Sequence, residues 1–554
     1  MFAIMADIYP FNKDIIVSAS AGTGKTYCLV ELYTRLITGK AGAAGKPLLP
    51  EQILAITFTR KAAAEMRVRV RNNLKETDFY HSRGIHRCQL EIRNFHSFGH
   101  QLLRQHPLET GLPSSLTLLG EDESRRMLMG IIDDLLLEQL GFNSREINEL
   151  LGVYGFSSKK VTSLNQMLLT GYIRLRQRGI PISDSREATL NTFEEFSSSP
   201  SPAELVEKTV GFIRTISQIN TTNKGITSFL EAWPAYAPSF QDPGQAETSV
   251  WFDNLKAIRK LADKAKEKRV NGQRQELVEC FNRYIDYRHL SLARPQTETF
   301  FDLLERIGER YGQQKKSRGV IDYDDQIFLA VRLLKDNPEI LEQYRNTFKV
   351  IMVDEFQDTN HLQKELIDLL HGTQNRLFVV GDPKQAIYRF RGSDVSVFDQ
   401  LKSEMLSRRA GEVSLRSSYR SAPELIAFFN KFFEKDSGER KFPYAFRYRE
   451  KDNLLASDPV RQKAGRVELI EMAGEEGKKI PAEIRRVREG EIIAGKILKL
   501  TSAGAWQFKD IAVLFQSLNQ VGIYERALQE KGIPCYLVGG RNLFKCREIL
   551  DIYN

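Results

Sequence analysis

Ala19-Ser20-Ala21-Gly22-Thr23-Gly24-Lys25-Thr26 follows Asp14 and the apolar run Ile15-Ile16-Val17, and opens a segment in which Leu29, Leu32, Tyr33, Leu36 and Ile37 recur at helical spacing. A strand, a loop of small residues and an amphipathic helix, in that order, read as a phosphate-binding loop. Small side chains let backbone N–H groups turn inward around an anion at a helix start, where the helix dipole also favours negative charge. Lys25 supplies a point charge to β- and γ-phosphates, and Thr26 offers a hydroxyl to Mg2+. The usual pattern has glycine at its first position; here Ala19 stands there.

Working outward, further short apolar runs end in polar residues. Ile53 to Thr59 reads as a strand, and Lys61 to Leu74 as a helix carrying Arg67, Arg69 and Arg71. Lys349-Val350-Ile351-Met352-Val353 leads into Asp354-Glu355-Phe356-Gln357-Asp358, Leu377 to Val380 leads into Gly381-Asp382-Pro383-Lys384-Gln385, and Val413-Ser414-Leu415 precedes Ser418-Tyr419-Arg420. Buried strands that each deliver polar residues at the C-terminal end describe a parallel α/β sheet with its site along one edge. Asp354, placed after four apolar residues, suits Mg2+, and Glu355 suits polarisation of an attacking water.

The 554-residue chain has room for several domains, and 42% hydrophobic with 27% charged residues is ordinary for a globular protein. A net charge of +9 favours a polyanionic partner only weakly when spread over this length. Cys28, Cys88, Cys280, Cys535 and Cys546 lie far apart, with no CxxC pair, which favours a reduced intracellular protein without a zinc or iron–sulfur site. No run approaches the length of a membrane span and Met1 to Pro10 lacks a signal-peptide pattern, so a cytoplasmic location is expected, with no membrane partner.

These stretches together resemble the superfamily 1 DNA helicases of the UvrD, Rep and PcrA type, and especially their RecB and AddA branch. Residues 19–26 look like motif I in its RecB-like form, 56–66 (ITFTRKAAAEM) like motif Ia, and 94–98 (NFHSF) like motif Ib. Residues 353–360 (VDEFQDTN) look like motif II, 379–394 (VVGDPKQAIYRFRGSD) like motif III, and 415–421 (LRSSYRS) like motif IV. Residues 321–327 (IDYDDQI) are similar to the segment that returns the chain to the first domain. Residues 509–517 and 532–544 are similar to the opening of the second RecA-like domain.

The resemblance implies an α/β fold: a RecA-like parallel-sheet P-loop NTPase domain with a large inserted helical domain and the start of a second RecA-like domain. The parts expected are 1–105 and 316–422 for the first RecA-like domain, 106–315 for the mainly helical insertion, and 423–554 for the beginning of the second. It implies ATP and Mg2+ as cofactors, held by residues 19–26 with Thr26 and Asp354 on the metal. Gln385 would sense the γ-phosphate, Arg420 contact it, and Tyr419 lie against the adenine, roles that suit an amide, a guanidinium and a phenol ring. Phe58, His96, Tyr388, Phe390 and Arg391 match positions that touch single-stranded DNA, where rings stack on any base. Many members have tryptophan at the position of Phe390.

Some features depart from the family: no adenine-recognising glutamine motif precedes Asp14, Tyr27 and Gln516 stand where relatives often have arginine, and Ser418 where many have asparagine. Motifs V and VI are not found before Asn554, so the chain reads as the N-terminal part of a larger helicase. Lys256, Arg259, Lys260, Lys264, Lys266, Lys268, Arg269 and Arg274 form a basic run that reads equally as a phosphate grip or a solvated face. The function expected is ATP-driven 3′–5′ movement on single-stranded DNA in repair or recombination, acting at single/double-strand junctions with partner subunits of a RecBCD- or AddAB-like complex. The alternative is a non-hydrolysing scaffold component with a helicase fold; the intact Lys25, Asp354, Glu355, Gln385 and Arg420 stand against it.

Overall fold

The computed structural model describes residues 12–41, 46–77, 89–113, 115–141, 145–156, 163–195, 202–219, 222–236, 249–389, 392–435, 448, 450–461, 464–471, 481–504 and 506–538. The chain divides into two compact units, Met1–Arg466 and Val467–Asn554.

The first unit is built on a parallel sheet of β1 (Ile15–Ala19), β2 (Ile53–Thr57), β3 (Ile92–Asn94), β4 (Val350–Val353), β5 (Arg376–Gly381) and β6 (Gly411–Leu415), in the spatial order β3-β2-β4-β5-β1-β6. β1 lies between β5 and β6, with Ile15 opposite both Phe378 and Gly411. Strands β1, β2, β4 and β5 alternate their side chains between two cores. Ile15, Val17, Ile53, Ala55, Val350 and Met352 face one core, and Ile16, Leu54, Ile56, Ile351 and Val353 the other. Near-continuous apolar strands are what a sheet covered on both faces requires. Each fully buried aliphatic side chain contributes roughly 1.5–3 kcal/mol.

Helices α1 (Lys25–Ile37) and α2 (Arg60–Lys75) cover the first face. The positions read at helical spacing in α1, Leu29, Leu32, Tyr33, Leu36 and Ile37, are all buried. The second face is covered by α3 (Phe95–Gln105), α7 (Asp325–Asp336), α8 (His361–Leu370) and α9 (Val395–Ser407). Thr59 caps α2 by accepting from the Ala62 N–H, and Asn94 and Asn360 cap α3 and α8 in the same way.

Between α3 and α7 the described residues lie mostly in helices, among them α4 (Glu121–Gly141), α5 (Leu164–Arg178) and the long α6 (Asn271–Arg318). These helices enclose two separate cores. One packs α4 and α5 against Phe301, Leu304, Ile307 and Tyr311 of α6. The other gathers Phe212, Phe229 and Ile258 around Phe281 and Tyr284, near the start of the same helix. Arg274 of the basic run is buried and donates to Asp263 Oδ1 at 2.7 Å, and Arg259 donates to Asn282 Oδ1 at 2.7 Å, so these two are occupied within the fold. Lys256, Lys260, Lys264, Lys266, Lys268 and Arg269 remain exposed.

After β6 the first unit continues through α10 (Pro423–Lys435). The second unit holds α11 (Ala482–Ser502) and α12 (Val521–Glu530) around a small core of Ala494, Ile497 and Ile533. Among its described residues no strand is formed, and Leu514, Tyr536 and Val538 are exposed. No helix among the described residues is long and apolar enough to cross a membrane.

Candidate functional site

The order of strands sets where a ligand can sit. The chain leaves β1, passes over β5 and β4, and enters β2, so the loop at the C-terminal end of β1 opens at a point where the connections diverge. Gly22 and Gly24 there have φ of +75° and +93°, the left-handed region that glycine adopts at little cost. A side chain at Gly22 would in addition meet Arg420 Cβ at 2.7 Å. The Thr23 hydroxyl donates to the Ser20 carbonyl at 2.7 Å, closing the loop before α1 begins at Lys25.

Lys25, though 330 residues from Glu355 in sequence, donates to Glu355 Oε2 at 2.7 Å and to Gln385 Oε1 at 3.4 Å. Glu355 reaches it from the end of β4 with φ +50°, a conformation that costs a non-glycine residue about 1–3 kcal/mol and clusters at functional sites. Gln357, two residues on, donates to Glu355 Oε2 at 2.8 Å and accepts from the Asp382 N–H at 2.8 Å. Gln385 donates in turn to Asp382, whose other oxygen accepts from Lys384 at 2.8 Å. Motifs I, II and III therefore meet in one hydrogen-bonded network. From the β6 side the Tyr419 N–H donates to the Gly22 carbonyl at 2.8 Å, which brings Tyr419 and Arg420 against the loop.

The electrostatics of this network favour a cation. Burial, and next the Glu355 charge, push the Asp354 carboxyl up to about 7, and the same causes push Asp358 up to about 7. The Oδ1 of Asp358 is buried without a hydrogen-bond partner. One lysine among three close carboxyl groups leaves negative charge that a divalent ion would offset. Mg2+ commonly takes one or two carboxylates and completes its shell with phosphate and water. The Asp354 carboxylate is thus a donor that fits Mg2+ with a nucleotide phosphate.

Three of the residues matched to DNA contacts, Phe58, His96 and Tyr388, lie past the C-terminal ends of strands of this sheet. Phe58, just past β2, and Tyr388, past β5, bring their ring centroids to 4.9 Å. His96, in the first turn of α3, stacks on Tyr323 at 3.8 Å. Phe390 and Arg391 lie outside the described residues. Burial, and next the Arg60 charge, push the His96 imidazole down to about 3, so the ring is neutral at physiological pH. Between about pH 6.5 and that value the unfolded chain takes up a proton that the folded chain does not. Stability is lost as pH falls through this window. His96→Phe should therefore lessen the acid sensitivity, narrowing the fall in unfolding free energy between about pH 7 and 4.5 by roughly 2–3 kcal/mol. Parallel pH profiles of the two proteins in urea unfolding would count against a half-buried, neutral His96.

Several participants were not singled out from sequence. Asp382 orients Gln385 and Lys384, and its one signal was its position directly after an apolar strand. Tyr323 sits among three aspartates in the stretch read as the segment that returns the chain to the first domain; nothing in its spacing announces a partner on α3. Ser418, noted as a departure from the family, is buried, with its Oγ at 3.4 Å from the Arg420 N–H.

Comparison with known proteins agrees with this geometry. Residues 4–405 match the model of the UvrD/REP helicase N-terminal domain, and residues 413–554 that of the UvrD-like helicase C-terminal domain. The A-type component of the ATP-dependent helicase/nuclease of Listeria innocua is 25% identical, over 97% of this chain and 49% of its own length. The protein of the same name from Carboxydothermus hydrogenoformans is 25% identical over 97% of the chain and 50% of its own length. That from Streptococcus pyogenes is 24% identical over 98% and 48%. The chain spans about half the length of these relatives. It belongs to the UvrD/REP helicase family and is similar over nearly all of its length to A-type components of ATP-dependent helicase/nucleases.

Proposed function

We propose that this chain carries the nucleotide- and DNA-binding machinery of an ATP-dependent DNA helicase that moves 3′–5′ on single-stranded DNA in repair or recombination. The observation that supports this most strongly is the bonding of Lys25 to Glu355 and Gln385, which joins the phosphate loop to the acidic strand end and to the segment leading to Tyr388. Residues 19–26 hold the nucleotide phosphates, Lys25 neutralises them, and Tyr419 packs against the adenine. Thr26 and Asp354 hold Mg2+, which when bound draws charge from the phosphate oxygens. Glu355 orients and deprotonates the attacking water, Gln385 reports the γ-phosphate, and Arg420 contacts it. The names of the relatives support a role as one component of a helicase/nuclease assembly, and we read its substrates as single-stranded DNA and single/double-strand junctions.

Single-stranded DNA lies across Phe58, His96, Tyr388, Phe390 and Arg391. Phe58→Ala should weaken binding of an oligonucleotide by about 1–3 kcal/mol irrespective of its sequence, and the affinity should fall steeply with salt. An unchanged dissociation constant would return Phe58 to a packing role against Tyr388. Steady-state ATP hydrolysis by the full-length protein, with and without single-stranded DNA, tests the activity itself. Strong stimulation by DNA is expected, and nucleotide binding without turnover would favour the scaffold alternative.

A further inference from the structure

The last turn of α5, in the helical insertion, is held from two sides. On one side, Asn360 Nδ2 donates to the Gln177 carbonyl at 2.7 Å. Gly392 is pressed so close that a side chain there would lie 2.8 Å from the same oxygen, and one at Gly179 would lie 2.5 Å from Leu362 Cβ. Asn360 follows the acidic strand end by a single turn, Phe356–Asp358, whose Asp358 carbonyl accepts from Ser393 Oγ at 2.6 Å. This side therefore belongs to the nucleotide site.

On the other side, Arg176 donates to Asp325 Oδ1 at 2.6 Å and approaches Asp322 Oδ1 at 3.5 Å. Lys315 of α6 donates to Asp322 Oδ2 at 2.8 Å and also to Asp325. The two aspartates close on each other, the Asp325 N–H donating to Asp322 Oδ1 at 2.8 Å and the Asp322 N–H to Asp325 Oδ2 at 3.0 Å. Lys315, Asp322 and Asp325 are all buried. Tyr323, between those aspartates, carries the ring that stacks on His96. This side therefore belongs to the DNA face. Separating the pairs would leave uncompensated buried charge, so the cluster moves as a unit or not at all.

We propose that residues 176–179 couple the nucleotide site to the DNA face, with Asn360 and Arg176 as the positioning residues that hold the two ends. When a nucleotide phosphate takes Lys25 from Glu355, the turn carrying Asn360 is freed to rearrange. Asn360 carries that change to Gln177, and Arg176 carries it to the backbone on either side of Tyr323. Linkage requires the converse as well: DNA on His96 and Tyr323 must change nucleotide affinity by the same factor. The inference rests on the functional reading above.

The test separates the two roles of Asn360, whose Oδ1 also accepts from the Gln363 N–H at 2.8 Å and so caps α8. Asn360→Ser keeps a capping oxygen on a side chain too short to reach Gln177, and Asn360→Asp keeps the reach without the donor. The dissociation constant of a fluorescent oligothymidine is measured on the protein alone and with a saturating non-hydrolysable ATP analogue and Mg2+. A coupling factor of about tenfold is expected for the wild type, falling to within about twofold for both variants, with nucleotide affinity in the absence of DNA unchanged. Full coupling in both variants, or an equal loss of DNA affinity with and without nucleotide, overturns the inference and leaves the functional reading standing. Failure of the wild type to bind either ligand overturns that reading, and the inference with it.

Discussion

Glu355→Gln will bind nucleotide at least as tightly as the wild type while losing about 10²- to 10⁴-fold in hydrolysis. The loss follows from the removal of a carboxylate placed to take a proton from water. The retention of binding follows from the ion pair in which Glu355 holds Lys25 at 2.7 Å. An incoming phosphate must displace that carboxylate, and a neutral amide competes less. Glu355 is 34% exposed, so the pair is partly screened and the gain in affinity amounts to a few-fold. Lys25→Ala should do the opposite, weakening nucleotide binding by about 10-fold or more through loss of a charge-assisted bond to phosphate. The two substitutions thus move binding in opposite directions while both abolish turnover, a pattern that general misfolding does not produce. Fluorescent-nucleotide titration of this chain and steady-state turnover of the full-length protein read the two quantities. Wild-type turnover in Glu355→Gln would remove Glu355 from water activation.

The core of the candidate site was legible because each candidate residue follows a buried strand. Lys25, Asp354, Glu355, Gln385 and Arg420 stand at or just beyond apolar runs, and a parallel sheet collects such ends at one edge whatever their separation in sequence. What the sequence did not reveal are contacts between residues whose types read as surface. Arg176 lies on a helix with other arginines and is 149 residues from Asp325, and Lys315 sits among charged neighbours near the end of α6. Their burial depends on how the insertion returns to the sheet, which periodicity does not encode. Two cores sharing one helix were hidden for the same reason. A helical reading of 106–315 counts turns but does not pair them. The DNA-facing rings fall between these cases, since Phe58 and Tyr388 each follow a strand, but their pairing at 4.9 Å requires that the β2 and β5 loops lean together.

Gly99→Ala will destabilise the first unit by about 3 kcal/mol, although it adds one methyl group to a helix and alanine is the better helix former. Gly99 lies on the face of α3 that meets α7, where an added Cβ would stand 2.2 Å from the Gln326 carbonyl oxygen and 2.9 Å from its carbonyl carbon. Both neighbours are backbone, so no side chain can rotate away and the two helices must separate. The same separation displaces the DNA-facing pair, because His96 precedes Gly99 by one turn and Tyr323 precedes Gln326 by the same interval. Gly99→Ala should therefore lower single-stranded DNA affinity as well as the urea midpoint. Gly130→Ala is the matched control: it lies inside α4 with nothing within 4 Å of the added carbon, and the substitution should stabilise by about 0.5–1 kcal/mol. Unfolding of Gly99→Ala at the wild-type urea concentration would show that α3 and α7 can yield without cost, and that the His96–Tyr323 stack is not held by their close approach.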